Sequence, residues 1–156
     1  MSKIEFYNRD IEHIHHFLTN IKLQGRTSRA RSCFCRELER KYEEFLQAKL
    51  EIQKEYGAVD KEGNLIADEN GTIEFETIEN KRKCIEEVDK TGEEIAIIEC
   101  TEILDKLQTL LLALDVLEEE LEGEDAVMYD LVCTQLESMK ERAEKGKCDI
   151  ARVQGK

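Results

Sequence analysis

The alternation of apolar and polar positions divides the chain into helices and a few short strands. Residues 3–7 alternate polar and apolar side chains, which is typical of a strand. After Asn8, apolar residues recur at helical spacing in two consecutive stripes, and the second stripe reaches Gly57. These stripes predict a short helix and then a long one, which begins with a cap at Thr27 or Ser28.

The next segment, residues 58–76, has a different pattern. It contains turn signals at residues 60–64 (DKEGN) and 69–71 (ENG), and the positions between and after them favour β-structure. We therefore predict a small β-hairpin that projects from a helical body.

Four further elements follow this insertion. A weakly apolar helix is predicted over 77–89, and residues 94–100 fit a short strand better than the start of a helix. Residues 101–121 carry the widest apolar stripe of the chain, which indicates a helix buried on more than one side, within the monomer or across a dimer. A last helix is predicted over 123–146.

The fold class follows from these elements. We expect a mostly α-helical protein with about five helices packed as helical hairpins in a bundle, and a small β-hairpin insertion near residues 58–76. The absence of Pro and Trp and the 38% of charged residues are typical of long helices with a charged surface. The length of 156 residues suits one domain, which we place at residues 1–146, followed by a flexible tail at 147–156. We identify no internal repeat in this pattern and expect none in the fold.

Charge is distributed unevenly along the chain. Residues 1–56 carry 11 Lys and Arg against 9 Asp and Glu, whereas residues 57–145 carry 9 against 26, within a total net charge of −13. Such a division can produce two faces of opposite sign, which select partners electrostatically. The acidic balance argues against direct nucleic-acid binding and against binding to an anionic membrane.

The first residues and the cysteines indicate the compartment. The chain opens without a signal-peptide pattern, and no stretch approaches the roughly 18 apolar residues of a membrane span. We therefore expect a soluble, intracellular protein. In that compartment the six cysteines are expected to be free thiols that pack as small apolar residues, without disulfides.

Few residues could carry catalysis. His13 and His16 share one helical face, a spacing that could hold a metal or an acid–base pair, but the chain has only three histidines. Residues 60–71 superficially resemble a calcium loop, yet Leu65 and Gly71 occupy the positions that require Gly and Glu. Because phosphate-binding loops and nucleophile motifs are also missing, we expect no catalytic residue, metal or cofactor.

A basic cluster lies at the start of the second predicted helix. Some of its arginines return to one helical face, so the cluster could dock a phosphate or an acidic protein surface. The alternative is that its side chains pair with acidic helices of the same molecule. The candidate partner-binding residues are Arg26, Arg29, Arg31, Arg36 and Arg40.

An acidic run between the last two predicted helices is the complementary candidate. It extends over a helix end, a turn and a helix start, and it could imitate the phosphates of a nucleic acid and block a protein that binds one. The alternative is a solvated face that keeps the protein soluble. The candidate residues are Glu118, Glu119, Glu120, Glu122, Glu124 and Asp125.

Several segments resemble a known family. They are LQGRTSRAR at 23–31 and LEGEDAVMYD at 121–130, together with EF at 44–45, KEYG at 54–57 and a turn at 60–63. Over most of residues 3–138 they are similar to an uncharacterised family of small phage and prophage proteins from Gram-positive bacteria. The resemblance implies a helical phage protein that acts in the cytoplasm of the bacterial host or in a virion, and it implies no activity.

The polar residues of the segments at 23–31 and 121–130 have opposite charges, so we expect the two segments to meet and to fix how the helices dock. In that case Arg29→Ala should lower thermal stability. For function, the sequence favours a phage-encoded, non-enzymatic protein-interaction module, an assembly or accessory factor that binds a phage or host protein and forms homo-oligomers through residues 101–121. The alternative is an acidic inhibitor that occupies the nucleic-acid site of a host defence protein.

Overall fold

The secondary structure is known from a computed structural model that describes residues 2–154, with side chains for residues 2–148. This part of the chain contains five α-helices and one two-stranded sheet, which confirms the predicted fold class. In chain order the elements are strand β1 (Lys3–Tyr7), helix α1 (Ile11–Asn20), helix α2 (Gly25–Tyr56), helix α3 (Ile78–Gly92), strand β2 (Ile95–Glu99), helix α4 (Leu104–Asp115) and helix α5 (Gly123–Gln154).

The sheet joins the beginning of the chain to its middle. β1 and β2 pair antiparallel, with Lys3 opposite Glu99. Helix α5 covers the outer edge of β1, where Gln135 Oε1 accepts from the Glu5 N–H at 3.0 Å and Arg142 Nη2 donates to the Lys3 carbonyl at 2.9 Å. Alternate side chains of the two strands point into the core, as period-2 patterns require; they are Ile4, Phe6, Ala96 and Ile98.

The core lies between this sheet, α1, the first half of α2, α4 and the middle of α5. Each helix contributes one apolar face at spacings of three and four residues. The largest fully buried side chains are Phe17, Phe34, Ile4, Ile11, Ile14, Leu18, Leu38, Ile98, Leu107, Leu110, Leu114 and Leu136. The four leucines of α4 that face inward (Leu107, Leu110, Leu111 and Leu114) account for most of its wide stripe within one chain.

Several helix boundaries differ from the sequence prediction. Helix α2 begins two residues before Thr27, because the Gln24 carbonyl accepts the first backbone hydrogen bonds, from the N–H groups of Thr27 and Ser28. Helix α4 ends at Asp115, so the helix predicted over residues 101–121 is too long at both ends. Residues 116–122 are irregular, and their run of acidic side chains adds negative charge where a helix C-terminus is already negative.

Helix α5 is longer than predicted. It continues through Gly146, where the sequence predicts its end, to Gln154. One glycine costs a helix only about 1 kcal/mol, and good helix formers stand on both sides of it. The predicted flexible tail at 147–156 therefore begins inside this helix, and residues 155 and 156 lie outside the described residues.

The second half of α2 and all of α3 form an arm, defined here as residues 41–92. Helix α3 returns along α2, and Gly92 at its end lies against Phe45. The Thr77 hydroxyl caps α3 by accepting from the Asn80 N–H at 3.0 Å. Because only two helices meet here, most apolar residues of the arm are half-buried, and Cys84 and Gly92 are its buried residues.

The tip of the arm, residues 57–76, contains two consecutive turns of one design. Asp60 and Asp68 each accept two backbone N–H bonds through the carboxylate, from the residues two and four positions later, at 2.9 to 3.0 Å. Gly63 and Gly71 each take a positive φ three residues after the aspartate. Single bridges close the two turns, from Val59 to Leu65 and from Ala67 to Ile73. The insertion predicted near residues 58–76 is thus a pair of tight turns.

Three residues spaced by eight close the tip into a ring. The Ala58 N–H donates to the Glu74 carbonyl at 2.8 Å, the Ile66 N–H to the Ala58 carbonyl at 2.9 Å, and the Glu74 N–H to the Ile66 carbonyl at 2.9 Å. The residues just before them lie close together, because a Cβ built on Gly57 would touch the side chains of Leu65 and Ile73. The interpretation that the chain has no internal repeat is therefore wrong at this place, since an eight-residue unit occurs here twice.

Candidate functional site

Arg31, one of the candidate partner-binding residues, has a structural role. Its guanidinium Nη1 donates to the carbonyls of Leu18, at 3.2 Å, and Ile21. These carbonyls belong to the end of α1, where no intrahelical donor remains. A half-buried Arg31 therefore caps α1 and fixes it against α2, which corrects its assignment as a docking residue.

The other arginines of the cluster lie at the surface. Arg40 pairs with Glu37 of its own helix at 2.6 Å, and Arg36 is exposed. Arg26 and Arg29 line an open cleft of about 590 Å³ between the start of α2 and α4. Lys106 and Asp105 of α4 line the same cleft, so three cations and one carboxylate meet there.

The acidic candidates form a second surface, at the other end of α4. Glu118 and Glu119 line a cleft of about 410 Å³ beside Lys22, and the Glu119 carboxylate accepts from the Lys22 N–H at 2.9 Å. The remaining acidic candidates are all exposed: Glu120, Glu122, Glu124 and Asp125. Glu124 also pairs with His13 of α1 at 2.5 Å.

The two charged segments are not joined by the ion pairs that their opposite charges predict. No ion pair among residues 2–148 joins the arginines of 26–31 to the acids of 124–130. Each segment instead contacts a neighbour of its own, since Arg31 caps α1 and the Tyr129 hydroxyl donates to the Leu114 carbonyl at 2.7 Å. The unpaired charges of both segments remain at the surface.

Two of the three histidines link helices at the surface. His15 lies 2.9 Å from Glu39 of α2, and His13 lies 2.5 Å from Glu124 of α5. His16 bonds within α1. Over the described part of the chain, no group of three His, Cys, Asp or Glu side chains is arranged to hold a metal ion.

Burial controls the chemistry of the thiols. All six cysteines are free, and Cys148 on α5 is exposed while the other five are buried. Burial raises the pKa of the thiols of Cys35, Cys100 and Cys133 to about 11, and it also raises the pKa of Cys84. A thiol with such a pKa holds little thiolate at neutral pH and is a poor nucleophile.

Thiol titration of the native protein should therefore report about one fast-reacting cysteine per chain. Cys148 is open to an aromatic disulfide reagent at pH 8, whereas the buried thiols react only after the fold opens. Cys148→Ser should abolish the fast phase, and Cys33→Ser, a substitution at a buried position, should leave it intact. Two or more fast thiols in the native protein would contradict this assignment.

The outer face of α4 is the largest feature that sequence reasoning did not separate from the core. Leu112 is 62% exposed and Val116 is 75% exposed, four residues apart on the side opposite the buried leucines. The stripe over 101–121 contained the signal, but its breadth did not show which leucines the monomer would bury. In the structure these two residues lie between the cationic cleft of Arg26 and Arg29 and the acidic residues that follow α4.

We compared the chain with known proteins and found no relative. No family model, no curated protein and no solved structure matches this chain. The resemblance to small phage proteins therefore remains a prediction. Within the described residues, none of the helices has both the length and the apolar character that a bilayer span requires.

Proposed function

We propose that this protein is a phage-encoded, non-enzymatic protein-interaction module, an assembly or accessory factor that acts in the cytoplasm of the bacterial host or in a virion. The observation that supports this proposal most is the outer face of α4, where Leu112 and Val116 are exposed between surfaces of opposite charge. Exposed apolar side chains rimmed by polar residues are typical of protein-binding surfaces.

The residues that could carry chemistry support the same proposal. The side chains of His13 and His15 contact carboxylates of other helices, and burial raises the pKa of three of the thiols to about 11. Both groups are thus explained by packing and by links between elements. A partner protein, rather than a small substrate, is the ligand that the exposed α4 face suits.

A second candidate function rests on the acidic surface. Glu118, Glu120, Glu122 and Asp125 are exposed on the irregular segment and on the first turn of α5. Carboxylates on an irregular backbone can be spaced like phosphates, so this surface could block the nucleic-acid site of a host protein. Such a complex would be dominated by charge and would weaken steeply with salt.

A tagged pull-down from infected host lysate separates the two functions. We expect the wild type to retain virion or assembly proteins in washes of high salt, and Leu112→Lys/Val116→Lys to lose them because the apolar face is removed. Ile78→Lys is the matched control, since Ile78 is 88% exposed on the arm. Retention unchanged by Leu112→Lys/Val116→Lys would contradict the interaction module. A host nucleic-acid-binding protein that is released by salt and lost by Glu118→Gln/Glu120→Gln would establish the inhibitor.

A further inference from the structure

Helix α4 carries one continuous outer face. Asp105, Thr109, Leu112 and Val116 follow each other at spacings of four, three and four residues, on the side away from the buried leucines. Ala113 lies beside them in the cleft that separates α4 from α2. Over these 12 residues the centre of the face is therefore apolar or small.

The charges around this face are divided between its two ends. Arg26, Arg29 and Lys106 surround the end at the N-terminus of α4, where Asp105 is the one carboxylate lining the same cleft. Asp115, Glu118 and Glu119 follow the other end, where Lys22 is the one cation lining the cleft. The face is thus positive at one end and negative at the other, with Leu112 between the two ends and Val116 beside the acidic one.

We propose that this face binds a second copy of the chain, with the two α4 helices packed antiparallel across a twofold axis. The proposal rests on the proposed function and names the partner of its main surface. The twofold axis is perpendicular to α4 and lies in the plane of the interface. Helix α2 of both copies therefore lies on the same side of the dimer. This arrangement places the arginines of each copy opposite the acidic end of its partner, and Leu112 of one copy near Leu112 of the other.

The charge division excludes the parallel arrangement. Parallel α4 helices would bring the arginine ends together and the acidic ends together, and like charges across an interface oppose association. An isologous dimer requires a surface that is complementary to itself after a twofold rotation, and the antiparallel arrangement meets this requirement.

Sedimentation velocity tests the proposal. The protein concentration should run from about 1 to 100 µM, the range in which we expect a dimer with a small interface to dissociate by half. Two variants reverse the charge of one end each: Arg26→Glu/Arg29→Glu, and Asp115→Lys/Glu118→Lys. Both should fold, because acids near a helix N-terminus and bases near a C-terminus are favourable. We expect the wild type to dimerise, each variant alone to be monomeric because two contacts become repulsive, and an equimolar mixture of the two variants to regain the dimer.

The outcomes separate this inference from the proposed function. A monomeric wild type at 100 µM, a dimer indifferent to either reversal, or a mixture that stays monomeric would each overturn the dimer. A wild type that is monomeric and still retains assembly proteins through Leu112 and Val116 would leave the interaction module standing. Leu112→Lys should abolish dimerisation, and Ile78→Lys should not, which confines the contact to α4.

Discussion

Replacing Gly57 by alanine is expected to open the tip of the arm. A Cβ at this position would lie 2.6 Å from the Gln53 carbonyl oxygen, 2.7 Å from Leu65 Cδ2 and 3.1 Å from Ile73 Cγ2. The carbonyl belongs to the last turn of α2 and cannot rotate away, and both side chains belong to residues next to the hydrogen bonds that close the tip. We therefore expect the methyl group to cost about 2 kcal/mol in the free energy of opening this segment.

Hydrogen exchange of the ring amides measures this cost directly. The N–H groups of Ala58, Ile66 and Glu74 close the ring, so their protection should fall about 30-fold in Gly57→Ala. Gly146→Ala is the matched control, because the residue is helical and a Cβ built there meets open space beyond the backbone of its own helix. The control should stabilise α5 by about 0.5–1 kcal/mol. Unchanged protection at the tip would show that Gly57 is replaceable.

The tip shows how a signal present in the sequence can be missed. The pattern of an aspartate, a glycine three residues later and an apolar residue two further on occurs at Asp60 and again at Asp68. Turn propensities identified both turns, because Asp and Gly favour a turn through interactions with residues next to them in the sequence. No local preference predicts the closed ring, since the Ala58 N–H and the Glu74 carbonyl are brought together only when both turns have formed.

The burial of helical residues was predictable where the apolar stripe of a helix packs against the core. Ala30, Phe34 and Leu38 belong to the predicted stripe of α2 and are buried. Ile52 and Tyr56 continue the same stripe and are only half-buried, because they lie in the arm, where α2 packs against α3 and not against the core. Periodicity shows which face of a helix is apolar, but the depth of burial depends on how many elements pack against it.

The sequence predicted which charged residues belong to the candidate site, but not how their side chains are arranged in space. The cluster over residues 26–40 and the acids over 118–125 are indeed at the surface, yet Arg31 and Arg29 are two residues apart and have different roles. The difference depends on where the end of α1 lies in space, which no local pattern encodes. For the same reason Leu112 could not be separated from the buried leucines of α4 until its neighbours were placed.

Removing the cap on α1 gives the second large effect, and Arg31→Ala is its test. The guanidinium donates to the carbonyls of Leu18 and Ile21, and hydrogen bonds from a charged donor contribute about 1.5–3 kcal/mol. Without it these half-buried carbonyls lose their donor, and we expect the midpoint of thermal unfolding to fall by about 5 °C. Arg31→Lys should recover only part of this loss, because an ammonium lacks the second donor nitrogen, Nη2, with which Arg31 also bonds the Ser28 hydroxyl at 3.4 Å.

Arg29→Ala is the matched control for this cap, because Arg29 lies on the same turn of α2 and lines the open cleft beside α4. It should leave the melting temperature of the monomer, measured by circular dichroism at low protein concentration, within about 1 °C, as surface substitutions usually do. Equal losses for Arg29→Ala and Arg31→Ala would mean that the basic cluster stabilises the fold as a whole. A loss confined to Arg31→Ala would divide the cluster into one arginine that holds α1 and others that are free to meet a partner.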